Sequence, residues 1–234
     1  MSAGASVAAV IVAAGKGARL PGSLPKQWQP LAGIPLIVHS LRFFDSLDCV
    51  NQIIFVLDDA TLEMPDRLAH LRSACGKVLR CVAGGASRQE SALRGLETVE
   101  AETEIVMVHD AARPFPPRDA VMDGLQKARE LGGAILAAPV VETIKEVDGD
   151  GRVVKTFDRS KLWAVQTPQI FQYGPLLEAY RSAEDRLEIF TDDASIFEEA
   201  GGHVRIIPAG DRNIKVTLPK DFALAETILR EIKK

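Results

Sequence analysis

Apolar, β-rich runs alternate with helix-like segments along most of this chain, and that alternation restricts the possible folds more than any other feature. The runs fall at residues 7–13, 52–57, 77–82, 104–108 and 134–140, separated by segments of helical spacing at 35–47, 61–74, 87–99 and 119–131. Strands that recur with a helix between them cannot pair as tight hairpins, so the pattern predicts a largely parallel sheet with helices on both faces. Right-handed crossovers then set the strand carboxyl ends along one rim, where open α/β sheets bind ligands. Four segments converge there: a glycine loop after the first strand, GGASRQES after the third, HDAARP after the fourth and APVVETIK after the fifth.

The glycine loop holds Gly15, Gly17 and Gly22 with Lys16, Arg19 and Lys26. It is not a dinucleotide fingerprint, because the third glycine of that motif would fall at Leu20. It is not a P-loop either, because Ser23 stands where the lysine belongs. The first carboxylate of the chain is Asp45, so the loop is basic and free of acids within a protein of net charge −4. Focused positive potential of that kind suits a small anionic ligand, and the plain alternative is a solvated basic loop. The overall acidity, with a pI near 5.7, argues against a nucleic-acid partner.

Composition removes other classes. The 234 residues are 47% hydrophobic and 26% charged, which is ordinary for a globular chain. The apolar runs fall short of the roughly 18 residues a membrane span needs, and no basic segment precedes the first, so neither a membrane nor a signal peptide is expected. Cys49, Cys75 and Cys81 lack paired spacing and fit reduced thiols in a cytoplasmic protein. His39, His70, His109 and His203 are scattered, which gives zinc no ligand cluster.

Residues 143–157, TIKEVDGDGRVVKTF, read as a hairpin with its tip at Asp148-Gly149-Asp150-Gly151. A hairpin projecting from a parallel sheet needs a surface to cover it, so an arm over approximately 141–160 is read as a dimerisation element; the other reading folds it back on its own domain. With no linker or repeat, one domain of residues 1–234 plus that arm is the economical organisation. Asp110 ends a strand and could hold Mg²⁺, or could pair with Arg113 three residues on. Gly84-Gly85 could be a close seat for a ligand or only a tight turn. Asp58 and Asp59 read as caps of the helix beginning near Thr61.

Taken together, AAGKGARL with LPKQW, GGASRQES, HDAARPF, APVVETIK, TFDRSKLWAVQTPQIF, TDDAS and NIKVTLPKD resemble the 2-C-methyl-D-erythritol 4-phosphate cytidylyltransferases of isoprenoid precursor synthesis. The resemblance runs from the first strand to the last helix. It implies a Rossmann-like nucleotidyltransferase fold, a homodimer with exchanged arms, and transfer of the cytidylyl group of CTP to 2-C-methyl-D-erythritol 4-phosphate with Mg²⁺, releasing pyrophosphate. By the same resemblance, Arg19 and Lys26 match the cations that stabilise the transition state. Ala13, Ala14, Gly15 and Gly17 match the loop around the nucleotide phosphates, and Gly84, Gly85 and Ser91 the cytosine pocket. Asp110 matches the metal-associated carboxylate. Arg159 and Lys215 match the pair that holds the second substrate, with Arg113, Thr143 and Thr167 nearby. Ala86 departs from members with a polar side chain there, and is tolerable if that contact is made through the backbone. A phosphate nucleophile is already largely ionised at neutral pH, so no protein base is needed and His109 reads as a hydrogen-bonded strand residue. A related cytidylyltransferase for another polyol phosphate, such as ribitol 5-phosphate, and a non-catalytic nucleotide-binding module are the alternatives.

Overall fold

The computed structural model describes residues 6–15 and 24–232. Arg19 and Gly17, with the neighbouring Lys16 and Gly22, lie outside the described residues. In chain order the strands are β1 (Val7–Val12), β2 (Pro30–Leu31), β3 (Ile34–Pro35), β4 (Val50–Leu57), β5 (Val78–Ala83), β6 (Ile105–Asp110), β7 (Gly133–Pro139), β8 (Lys145–Val147), β9 (Val153–Thr156), β10 (Trp163–Gln172) and β11 (Val204–Pro208). The α-helices are α1 (Leu36–Asp45), α2 (Asp59–Leu62), α3 (Pro65–Ser73), α4 (Arg88–Leu96), α5 (Arg118–Leu131), α6 (Tyr173–Ser182), α7 (Asp193–Glu199) and α8 (Pro219–Ile232).

Seven strands form one sheet in the order β11-β7-β10-β6-β1-β4-β5. Successive side chains of a strand point to opposite faces, and β1 displays this fully. Val7, Ala9 and Ile11 pack with the α1 and α5 residues Ile37, Leu41, Phe44, Val121 and Leu125. Ala8 and Val10 pack with Ala92, Leu93 and Leu96 of α4 and Leu176 and Tyr180 of α6. Burial on both faces is why this strand reads as a continuous apolar run rather than an alternating one. Gly95 lets α4 close on the sheet, since a Cβ there would lie 2.5 Å from Val10 Cγ1. No helix among the described residues is long and apolar enough to cross a membrane.

The five expected strands and four intervening helical segments are present, with two differences. The segment expected at 61–74 begins as two pieces, α2 and α3, because Pro65 occupies the first turn of the second and cannot continue the first. The sheet also has one reversed member. β10 lies between β6 and β7 and runs antiparallel to both. The cause is the arm: the chain leaves β7 outward, turns through β8 and β9, and re-enters at Leu162, whose carbonyl accepts from Val140 N at 3.1 Å. A strand entered from that rim has to descend. Its pairing with β7 shifts between Val165 and Gln169, where Pro168 has no N–H to give.

β8 and β9 form their own two-stranded sheet, exposed along its whole length. Asp148 builds the tip, its Oδ1 accepting from Asp150 N at 3.1 Å and Arg152 N at 2.9 Å. Gly151 there has φ +80°, a conformation glycine adopts without strain. Among the described residues, the pair does not fold back onto its own sheet. The three cysteines are free thiols.

Candidate active site

The carboxyl ends of β1, β5 and β6 open into a cleft of about 920 Å³, lined by Ala13, Ala14, Gly15, Lys26, the Gly84–Ala86 turn, Ser91, Asp110 and Lys215 among others. Residues scattered over two hundred positions thus meet at the predicted rim. Lys26 opens a short 3₁₀ turn that three contacts hold down. Gln27 Nε2 donates to Asp58 Oδ2 at 2.9 Å, Trp28 Nε1 donates to Thr61 Oγ1 at 3.3 Å, and the Arg67 guanidinium sits 4.9 Å from the Trp28 ring centre. Asp58 is the expected cap of α2, accepting from Thr61 N at 2.9 Å. Sequence reasoning missed its second role as the anchor of the turn that carries Lys26.

Across the cleft, Gly84 lies so close to the end of β1 that a Cβ there would be 2.2 Å from the Ala14 Cβ. Glycine is therefore required by close approach and not merely by a turn. Ser91 Oγ accepts from Gly85 N at 3.0 Å and donates to the Ser87 carbonyl at 2.8 Å. Ser87 and Glu90 form a reciprocal capping box at the start of α4, and Glu90 Oε2 also accepts from Ala86 N at 2.5 Å. With that N–H engaged, any backbone contact from Ala86 to a ligand falls to its carbonyl.

Asp110 ends β6. Its Oδ1 accepts from Arg88 Nε at 3.0 Å and its Oδ2 from Lys215 Nζ at 2.7 Å. Burial opposes ionisation, but the Arg88 and Lys215 charges together outweigh it and hold the carboxyl far below the usual carboxylate range. The expected alternative partner, Arg113, makes no ion pair with it among the described residues. Arg113 instead donates to the Asn213 carbonyl at 2.7 Å and the Val165 carbonyl at 3.5 Å. Lys215 is delivered by a segment pinned to the sheet: Asn213 Nδ2 donates to Gln166 Oε1 and to the Thr167 carbonyl, each at 2.9 Å, and Val216 N donates to the Ala112 carbonyl at 2.9 Å.

His109 and Thr167 sit behind this wall, both buried. His109 Nε2 lies 2.9 Å from the Arg113 carbonyl, which can only accept, so that nitrogen carries the proton and donates. The other nitrogen, Nδ1, then accepts from the Thr167 hydroxyl at 3.1 Å, whose oxygen in turn accepts from Asp110 N at 3.0 Å. Burial lowers the His109 pKa from 6.5 to about 3, so the ring is neutral at physiological pH. It is a strut under Asp110, as a hydrogen-bonded strand residue should be, and the Thr167 hydroxyl is spent on the same chain of bonds.

Of the expected residues, Arg113 and Thr167 do not line the cleft, and two more stand apart from it on the arm. Thr143 and Arg159 are exposed on the arm, where Arg159 Nη1 donates to the Val141 carbonyl at 2.6 Å. Sequence reasoning gave no role to Arg88 or to the acids of TDDAS. Asp193 takes both terminal nitrogens of Arg88, at 2.7 and 2.8 Å. Both residues lie inside quoted motifs, but no local spacing ties partners 105 positions apart. Among the described residues no group of three or more His, Cys, Asp or Glu side chains could hold a metal; the acids among the described lining residues of the cleft are Asp59 and Asp110.

Comparison with known proteins agrees with this fold. Residues 7–231 match the profile of the family described as 2-C-methyl-D-erythritol 4-phosphate cytidylyltransferase. The protein of that name from Alkaliphilus metalliredigens is 40% identical over 233 residues, covering 100% of this chain and 97% of its own. A solved 4-diphosphocytidyl-2C-methyl-D-erythritol synthase from Anaerococcus prevotii superposes with a TM-score of 0.86 at 24% identity, covering 97% of this chain and 100% of its own, a likeness of fold. The Francisella tularensis 2-C-methyl-D-erythritol 4-phosphate cytidylyltransferase superposes with a TM-score of 0.79 at 27% identity, covering 96% of this chain and 100% of its own. The chain therefore belongs to the 2-C-methyl-D-erythritol 4-phosphate cytidylyltransferase family of nucleotidyltransferase enzymes.

Proposed function

We propose that this enzyme transfers the cytidylyl group of CTP to 2-C-methyl-D-erythritol 4-phosphate, giving 4-diphosphocytidyl-2-C-methyl-D-erythritol and pyrophosphate in isoprenoid precursor synthesis. The observation that carries the reading is the make-up of the cleft, where Lys26, Lys215 and Arg88 gather around a close-packed glycine turn and the ionised Asp110 carboxylate, while His109 beside it in sequence is buried and neutral. That set suits a reaction between two polyanions. An oxygen of the phosphate monoester attacks the α-phosphorus, a P–O–P bridge forms, and the bond to the β-phosphate breaks with its electron pair leaving on pyrophosphate. The nucleophile needs no base, so the task of the protein is to position and to neutralise.

Gly15 and the Gly84–Ala86 turn, with Ser91 bracing it, would seat the nucleotide, and Lys26 with Arg19 would stabilise the charge at the α-phosphate. Mg²⁺ needs few protein ligands when phosphates supply the rest, and Asp110, still ionised and with lone pairs left beyond its two hydrogen bonds, fits that donor set. When bound there, Mg²⁺ would neutralise phosphate charge. Lys215 and Arg159, with Thr143, would hold the phosphate of the second substrate, Arg159 reaching it from a partner's arm in a homodimer. The conditions are those of a cytoplasmic enzyme. Pyrophosphate release measured with CTP across a panel of polyol phosphates, with and without EDTA, tests the proposal. Fast release should need the methylerythritol phosphate and a divalent cation; faster turnover with ribitol 5-phosphate, or equal activity in EDTA, overturns it.

A further inference from the structure

Behind Asp110, on the face covered by α4, α6 and α7, lies a charged cluster of which Arg88, among the described residues, lines the cleft. Asp193 is fully buried at the first residue of α7 and binds both terminal nitrogens of Arg88. The same carboxylate accepts from the buried Tyr180 hydroxyl. The helix that carries it is fixed to the reversed strand, since Gln169 Nε2 donates to Asp192 Oδ2 at 2.8 Å and Ala194 N donates to Gln169 Oε1 at 2.9 Å. Gln169 pairs with Val108, two residues before Asp110.

A guanidinium is a rigid plane, so gripping both terminal nitrogens dictates where its Nε–H points. Here it points at Asp110 Oδ1. We propose that Asp193, supported by Tyr180, is a positioning residue for cytidylyl transfer: acting through Arg88, it sets the orientation of Asp110 and leaves the second carboxylate oxygen to Lys215. This rests on the cytidylyltransferase reading of the cleft. Two carboxylates, Asp110 and Asp193, balance two cations, Arg88 and Lys215. Removing the charge of Asp193 frees two guanidinium nitrogens whose nearest remaining carboxylate is Asp110. Arg88 then competes for both oxygens of Asp110, displaces Lys215 and turns the carboxylate away from the ligand.

The test uses the full-length protein carrying Asp193→Asn, Tyr180→Phe or Asp110→Asn, and the double variant of the first and last. Steady-state kcat and KM are measured with saturating second substrate, and CTP affinity by calorimetry, below the onset of melting of each variant. The expected result for Asp193→Asn is a kcat at least tenfold lower and CTP binding several-fold weaker, with less than a twofold further effect on either in the Asp110→Asn background. Tyr180→Phe should move the same quantities in the same direction by about threefold and also lose its effect beside Asp110→Asn. It decides the matter alone if Asp193→Asn does not fold. A variant that melts earlier yet keeps wild-type kcat and CTP affinity overturns the proposal, as do losses that multiply independently of Asp110. If the wild-type protein transfers cytidylyl to no polyol phosphate, the functional reading fails and the brace is decided on CTP affinity.

Discussion

The neutral ring under Asp110 should make the protein acid-sensitive by a predictable amount. His109 has a folded pKa of about 3 against an ordinary value of 6.5. Because the folded value is the lower one, the unfolded chain binds a proton between these limits that the folded chain refuses. The stabilisation is therefore complete above about pH 6.5 and is lost as the pH falls. Integrated from pH 7 to pH 5, this one ring removes about 2 kcal/mol, and the figure hardly changes for any folded pKa below about 4. Against a typical total of about 5–15 kcal/mol, that is a visible fraction. His109→Asn abolishes the titration, so urea unfolding at pH 7 and pH 5 should show a fall in stability smaller by about 2 kcal/mol in the variant than in the wild type, whatever the variant's absolute stability. NMR of the ring should show the neutral form, protonated at Nε2, down to pH 5. A difference between the two falls below about 0.5 kcal/mol, or a ring that protonates near pH 6.5, would refute the reasoning.

Three further outcomes follow from the cleft. Gly84→Ala drives a Cβ into Ala14, so the nucleotide turn must shift; KM for CTP should rise at least about tenfold, and an unchanged KM would remove that turn from the nucleotide seat. Lys26→Ala should lower kcat by about 10²-fold or more while circular dichroism and melting stay near wild type, whereas a normal kcat with only a raised KM would reduce Lys26 to ground-state binding. Lys26→Ala and Arg159→Ala should each be nearly inactive, and co-refolding them should restore roughly a quarter of wild-type activity, because half of the dimers are mixed and each of these has one intact site. No recovery despite verified subunit exchange would place Arg159 in the site of its own chain.

The legible parts of this structure are those set by local rules. Continuous apolar runs and helical spacing mark β1, β4, β5, β6 and β7 and most of the helices between them, and the Asp58 cap is readable because its partner is three residues away. The direction of β10 is not, since an antiparallel strand between β6 and β7 follows from where the arm returns the chain and leaves no signature in QTPQIF itself. For the same reason the alternative pairing of Asp110 with Arg113 does not form: Arg113 is close in sequence, but Arg88 and Lys215 are close in space. The resemblance to known cytidylyltransferases implies which residues would face ligands. It offers nothing on the supports behind them, the Gln27–Asp58 anchor and the Asp193 grip on Arg88, which exist only once distant elements pack.

The arm shows where sequence and a single chain both stop. Its turn chemistry is local and so was legible, but a lone two-stranded hairpin is marginal in water, and this one presents Val147 and Val153, each 54% exposed, and Val154 at 62%. Valines displayed on a free hairpin would favour pairing with any available edge unless a particular surface covers them. That demand comes with a second one: Lys215 lines the cleft whereas Arg159 and Thr143 sit on the arm, so one chain's cleft gathers only part of the cationic set proposed for the second substrate. In the homodimer proposed above, a second copy of this chain would cover the valines and bring its Arg159 to the neighbouring cleft, answering both demands at once.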